Sequence, residues 1–238
     1  MLLVQHLTLN DCMKKINWTN NTDTRLGFEV ECIIPGHNYR RFCDAIRILR
    51  KDLSVGSDGS INTSSFGQFA KPVEIRTNPL PPKTAMVMLK AVFDIVNKYG
   101  VTNASCGFHV NISSAHRTKM RNFNPIPFLS SSLWNEILRK FSRRSNNYCR
   151  TVLTVNRRRI SKVAAFNALH QAVHDKYRCV TLCNFGNGLS KSSRIEVRGF
   201  GNKDYTQKFD TIAGFVKRIE RLFRLSCGNL PFTRTFSV

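Results

Sequence analysis

Glutamate is scarce in this chain: there are six among 238 residues, and four of them sit in short alternating segments. Glu29 and Glu31 lie in Gly27-Phe-Glu-Val-Glu31, Glu74 in Val73-Glu-Ile-Arg76, and Glu196 in Arg194-Ile-Glu-Val-Arg198. Gly107-Phe-His-Val-Asn111 has the same texture. Successive side chains of a strand point to opposite faces. Glu29 therefore shares a face with Glu31, Glu74 with Arg76, His109 with Asn111, and Arg194 with Glu196 and Arg198. Phe28, Val30, Val73, Ile75, Phe108, Val110, Ile195 and Val197 take the other face, where a core can form. Four carboxylates, an imidazole and several guanidiniums converging on one surface suit a hard divalent cation. Mg²⁺ or Mn²⁺ takes oxygen ligands and leaves positions open for substrate phosphates. The plainer reading is an amphipathic sheet with a solvated charged face. Against it, adjacent carboxylates repel, and a chain rich in lysine has cheaper residues to place on a wet surface. Zinc is the other metal to weigh. Cys106 with His109, and Cys179 with Cys183, match the spacing of no common zinc module.

The elements that would position these residues are legible from periodicity. Helical spacing of apolar residues runs over Arg40–Lys51, Lys83–Tyr99, Ser131–Arg144, Lys162–His174 and Thr206–Leu225. Turn-rich stretches separate them at 19–24, 56–59, 78–82, 122–127 and 184–188. Several connections between the alternating segments are too short for parallel crossovers. The spacing therefore predicts an α+β fold around a largely antiparallel sheet, within one domain spanning residues 1–238. Apolar residues make up 42% of the chain, a globular composition. No apolar run approaches a membrane span and no leader is evident, so a soluble, cytoplasmic protein without membrane contact is expected, its eight cysteines reduced.

Charge is lopsided. Lysine and arginine number 37 against 15 acidic residues, a net +22, and residues 111–238 alone hold 24 basic and 6 acidic side chains. Such a surplus attracts polyanions, and nonspecific nucleic-acid affinity follows from it. The arginine-rich stretches 139–150 and 157–159 would bind nucleic acid or an acidic substrate, or would simply be solvated helix and loop surface. Cys106, at odd spacing from His109, falls on the opposite face and reads as a buried, inert thiol rather than a nucleophile. Gly186-Asn-Gly188 reads as a turn rather than a phosphate cradle.

Five motifs in register resemble a known family. Gly27-Phe-Glu-Val-Glu31, Asp58-Gly-Ser60, Val73-Glu-Ile-Arg-Thr-Asn-Pro-Leu80, Cys106-Gly-Phe-His-Val-Asn111 and Arg194-Ile-Glu-Val-Arg-Gly-Phe200 follow the order and texture of the amidoligases. These are compact relatives of glutamine synthetase and glutamate–cysteine ligase. Lys176-Tyr-Arg-Cys-Val180 is similar to a further family stretch, and the resemblance covers about residues 25–225. It implies a curved antiparallel sheet of glutamine synthetase type with helices on its outer face. It also implies metal ligation by Glu29, Glu31, Glu74, His109 and Glu196, with ATP and Mg²⁺ or Mn²⁺ as cofactors. Arg198 would approach the transferred phosphate. The chain departs from its relatives at Asn111, where many have a second histidine, at Arg76, where many have serine, and at Gly201-Asn202.

The implied reaction is ATP-dependent amide or isopeptide bond formation through an acyl phosphate. Phosphorylation is what turns a carboxylate into an acylating agent, and metals neutralise the triphosphate during it. Arg198, Glu196 and Asp58 are the candidate catalytic residues. Asp58 would orient the amine or take its proton; otherwise it is an Asp-Gly turn residue. Asn111, Arg194 and Arg76 are the candidate nucleotide or substrate contacts; otherwise the arginines pair with neighbouring glutamates. Two rivals remain at this stage: a basic nucleic-acid-binding or structural protein on a ligase-like fold without activity, and a metal-dependent hydrolase. The net +18 of residues 111–238 favours a peptide, protein or other anionic macromolecule as substrate.

Overall fold

The computed structural model describes residues 23–116, 120–143, 149–150, 170, 172–173, 175, 177–185 and 193–228. Most of the helix expected over 162–174, the cluster 157–159 and the turn 186–188 lie outside them. Six strands are described: β1 (Thr24–Ile34), β2 (Leu53–Gly56), β3 (Lys71–Thr77), β4 (Gly107–Ser114), β5 (Val180–Cys183) and β6 (Arg194–Gly201). They form one sheet in the order β2-β3-β1-β4-β6-β5, antiparallel at every pairing. With its helices this is the expected α+β architecture.

The helices are α1 (Tyr39–Arg47), α2 (Pro82–Tyr99), α3 (Pro125–Leu129), α4 (Leu133–Lys140) and α5 (Phe209–Gly228). In α1, Phe42 and Ile46 are four residues apart and turn one apolar stripe inward. Proline at the first position opens α2, and Gly100 closes it by donating its N–H to the Val96 carbonyl at 2.7 Å. Two sequence expectations need correction. Residues 122–127 are not loop throughout. Pro125 starts the short α3, and the Asn124 side chain caps it by accepting from the Ile126 N–H at 3.1 Å. Nor does α4 run through Arg144. The chain leaves the helix at Phe141, and Ser142 adopts φ 53°.

The larger described helices pack against the sheet, α2 against β1, α4 against β6 and α5 against β4. They cover the apolar face read from the alternation. Phe28, Val30, Ile75, Phe108, Val110, Ile195 and Val197 are fully buried there. Phe108 is the centre of a ring cluster, with Phe28 at 5.6 Å, Phe93 at 5.6 Å, Phe200 at 5.4 Å and Tyr205 at 5.9 Å between centroids. Burying a side chain of this size stabilises by about 1.5–3 kcal/mol. This layer is the source of rigidity for the opposite, polar face.

A bulge in β6 makes the alternation change phase. Phe108 pairs with Phe200 and Val110 with Val197, two steps on β4 against three on β6. Arg198 and Gly199 together oppose His109. Arg198 can thus stay on the polar side while Phe200, two residues later, enters the ring cluster. Gly199 is required at the bulge. A Cβ there would stand 2.9 Å from Cys179 Sγ, just before β5, and 3.0 Å from Ile137 Cγ2 of α4, both in the packed core. Gly199→Ala is expected to cost about 1–3 kcal/mol through this overpacking, read as a lower urea midpoint at unchanged m-value.

Candidate metal and catalytic site

Strand register brings the predicted residues into rows across the face opposite the described helices. One row runs Ser54–Arg76–Glu29–His109 and the next Gly56–Glu74–Glu31. A third runs Gly27–Asn111–Glu196–Thr181. Glu29, Glu31, Glu74, His109 and Glu196 therefore share one face of the sheet. The face is not a solvated one: Glu31, Glu74, His109 and Glu196 are all buried.

His109 stands at the middle. Its Nδ1 is 2.9 Å from Glu29 Oε2 and 3.2 Å from Glu196 Oε1, and its Nε2 is 3.7 Å from Glu31 Oε1. One ligand atom from each of Glu29, His109 and Glu196 can be chosen so that all lie within 4.8 Å of one another. Burial pushes the Glu29 carboxyl up. The hydrogen bond and charge of His109, the Asn111 hydrogen bond and the Arg194 charge outweigh burial and hold it down at about 2. Glu29 is thus an anion, as a metal ligand must be. Oxygen donors outnumber nitrogen two to one, a set suited to Mg²⁺ or Mn²⁺.

Glu31 and Glu74 face each other directly in the β1–β3 ladder. Burial pushes Glu74 up, Arg76 pulls it down, and the charges of Glu29, Asp58 and Glu31 add to the upward shift. Two relieving contacts exist. Arg76 donates Nη2 to Glu74, and the Gly107 N–H donates to Glu31 Oε2 at 2.5 Å. Gly107 leaves the space this needs, since a Cβ would stand 2.9 Å from His109 Nε2. Sequence reasoning gave Gly107 no role. Its signal was a glycine opening a strand two residues before the histidine.

The remaining candidates divide. Arg198 donates Nη1 to Glu196 Oε1 at 2.5 Å, while its Nε is buried without a hydrogen-bond partner. A buried guanidinium nitrogen left so is an open donor for an anion. Asn111 donates Nδ2 to Glu29 Oε1 at 3.0 Å and accepts from Arg194 Nε at 2.7 Å, linking the cluster to the end of β6. Arg194 pairs with this amide rather than with a glutamate; Arg76 takes the plainer reading and pairs with Glu74. Asp58 caps a turn by accepting from the Ser60 N–H at 2.8 Å, close enough to Glu74 to influence its charge. Cys183 adds a thiol to the face, with Sγ 3.4 Å from Glu196 Oε2. Burial pushes Cys106 up to about 11, as expected of an inert thiol. Cys106 and Cys179 are enclosed in the core and form no zinc site with Cys183. Arg143 corrects the surface reading of the arginine-rich stretch 139–150. It is buried, donating Nη1 to the Cys106 carbonyl at 3.0 Å and Nε to Cys149 Sγ at 3.4 Å.

An antiparallel α+β sheet with acidic, histidine-centred rows on its polar face is the class the structure defines. The family model described as "Putative amidoligase enzyme" matches residues 50–185, more than half of the chain, and the protein belongs to that family. Membership supports a ligase-type role. Among solved structures, glutamine synthetase of Plasmodium falciparum, seen by cryo-electron microscopy, is similar at 11% identity and a TM-score of 0.42. The match covers 94% of this chain and 56% of that one, so this chain spans little more than half its length. No curated protein matches.

The opposed Glu31–Glu74 pair has a measurable consequence in protein stripped of metal. A carboxyl raised in the fold favours folding below its ordinary range, and that advantage is lost as pH rises through its folded value. Glu74→Gln removes the repulsion. With EDTA at neutral pH its Tm is expected to rise by roughly 2–4 °C, the shift that about 1 kcal/mol produces in a domain of this size. The rise should shrink toward pH 4. A lower Tm at neutral pH would mean that the Arg76 contact outweighs the repulsion.

Proposed function

We propose that the protein is an ATP- and divalent-metal-dependent carboxylate–amine ligase, its reaction carried by the β3-β1-β4-β6 face of a single domain. The observation that carries the reading is the Glu29–His109–Glu196 group, its histidine and Glu196 buried and Glu29 partly so, with the open Arg198 Nε on the strand of Glu196. It pairs a cation site with an adjacent anion donor, as transfer of a phosphoryl group requires. Glu29, His109 and Glu196 would hold one cation, and Glu31 with Glu74 would supply carboxylates for another. A cation held there supplies neutralisation of the triphosphate's charge.

The chain's own residues do the rest. Arg198, anchored through Nη1 to Glu196, offers Nε to the oxygens of the γ-phosphoryl group as charge redistributes. A substrate carboxylate oxygen bonds to the γ-phosphorus, the bond to ADP breaks, and an acyl phosphate results. The amine then bonds to the acyl carbon, inorganic phosphate leaves, and the amine gives up a proton. Asp58, on a turn beside Glu74, is the carboxylate available at the rim to orient that amine or accept its proton. Arg194, with Nε locked by Asn111, presents its other nitrogens to phosphate or substrate carboxylate. The seven described cysteines are not in disulfides, in keeping with the cytoplasmic setting we propose.

Glu31→Gln tests the cation requirement. The wild-type protein should bind ATP far better with Mg²⁺ or Mn²⁺ than without, and the variant should lose that dependence. Calorimetry showing equal binding with and without metal in both proteins would refute the reading. A salt titration controls for simple polyanion attraction by the basic surface. We also propose an acidic peptide or protein as the acyl donor, drawn in by the net +18 of residues 111–238. Its kcat/KM should fall steeply with ionic strength, and a flat profile, or turnover with free glutamate alone, would defeat this choice.

A further inference from the structure

Glu31 is gripped from both sides of the sheet. The β1–β4 ladder runs from Thr24 opposite Ser114 to Val30 opposite Phe108 and stops there. At the next position the Gly107 N–H donates to the Glu31 side chain, at 2.5 Å. The Glu31 carbonyl accepts from the Tyr205 hydroxyl at 2.8 Å. Tyr205 comes from the helix-covered side, is fully buried, and packs against Phe93 at 5.8 Å and Phe108 at 5.9 Å between ring centroids.

The route by which Tyr205 gets there is conformationally expensive. Gly201 (φ 127°), Asn202 (φ 84°) and Asp204 (φ 56°) all occupy the positive-φ region, which non-glycine residues rarely adopt. Such conformations persist only where the surroundings over-determine them, and they concentrate at functional positions. Here the surroundings include α2. Thr206 donates Oγ1 to Asn97 Oδ1 at 2.6 Å, and Asn97 donates Nδ2 back to the Thr206 carbonyl at 3.2 Å. The turn after β6 is thereby clamped to α2 with Tyr205 aimed at one carbonyl of β1.

We propose that Tyr205 is a positioning residue for Glu31: from the apolar side it fixes the β1 backbone where the ladder has ended, and so sets where the Glu31 carboxylate stands on the polar side. Its consequence for cation affinity rests on the metal-dependent ligase reading; the geometric claim does not. Loss of an outer partner of a ligand typically weakens metal binding by 10–100-fold.

The test uses the whole chain and compares Tyr205→Phe, which deletes only the hydroxyl, with Phe93→Leu, which loosens the same ring cluster without touching Glu31. The first readout is the Gly107 amide in metal-free protein, by NMR shift and hydrogen exchange. Tyr205→Phe should accelerate its exchange about tenfold relative to Val110 on the same strand, whereas Phe93→Leu should leave that ratio unchanged. The second is Mn²⁺ titration followed by electron paramagnetic resonance, with affinity expected to fall about tenfold in Tyr205→Phe alone. Thr206→Val, which keeps the Tyr205 hydroxyl but removes one of the two hydrogen bonds that hold the turn to Asn97, should move both readouts the same way by less. An unchanged Gly107 amide in Tyr205→Phe overturns the proposal. So does an equal change in Phe93→Leu; a shifted amide with undiminished Mn²⁺ affinity upholds the positioning and overturns the assignment of Glu31 to a cation site. A wild-type protein that binds no Mn²⁺ overturns the ligase reading instead, and the Gly107 comparison still decides the positioning.

Discussion

Like charges held together out of water set the terms for this molecule. Glu31 and Glu74 oppose each other across adjacent strands, and Glu29 and Glu196 flank the same imidazole. A sheet would not gather buried carboxylates this way for stability, because desolvation and mutual repulsion both act against it. Each is instead restrained locally. His109 touches Glu29, Glu31 and Glu196, Arg76 and Arg198 hold Glu74 and Glu196 on their own strands, and the Gly107 N–H holds Glu31. The compensating energy lies behind the sheet, in the ring cluster around Phe108 and the helices that enclose it. Function and stability are divided between two faces of the same strands.

That division explains how far apart the supporting residues lie in sequence. The polar rows depend on where the strands stop pairing and on what reaches them through the backbone. Asn111 joins Glu29 to Arg194 across three strands, and Tyr205 reaches Glu31 from 174 positions away. A histidine at position 111 would titrate near neutrality, whereas an amide bridges the same two groups at any pH. At Asn111 the chain has a link whose donor and acceptor roles are fixed.

Period-two alternation made the face legible from sequence alone. It placed Glu29 with Glu31 and separated both from Phe28 and Val30, because in strands side-chain direction follows parity. Parity failed at the β6 bulge, where Gly199 and Phe200 both turn toward the helices, since a one-residue change of register leaves no compositional mark. Helix periodicity located α2 and α5 but overran α4, where the turn at Ser142 sends Arg143 inward. Arginine composition suggests surface; only the waiting Cys106 carbonyl makes that side chain interior. Tyr205 was out of reach for a similar reason. Its partner is a main-chain carbonyl, and main-chain acceptors look the same at every position in a sequence.

The strand order also bears on colloidal behaviour. The long strands that carry the acidic rows are interior, while the described sheet ends at β2 and β5, four residues each. A four-residue edge is a poor template for another chain to extend, and short edges are one way sheet proteins avoid polymerising. A net charge of +22 adds repulsion between molecules. The protein should therefore stay dispersed in dilute buffer and come together chiefly when a multivalent anion bridges its copies.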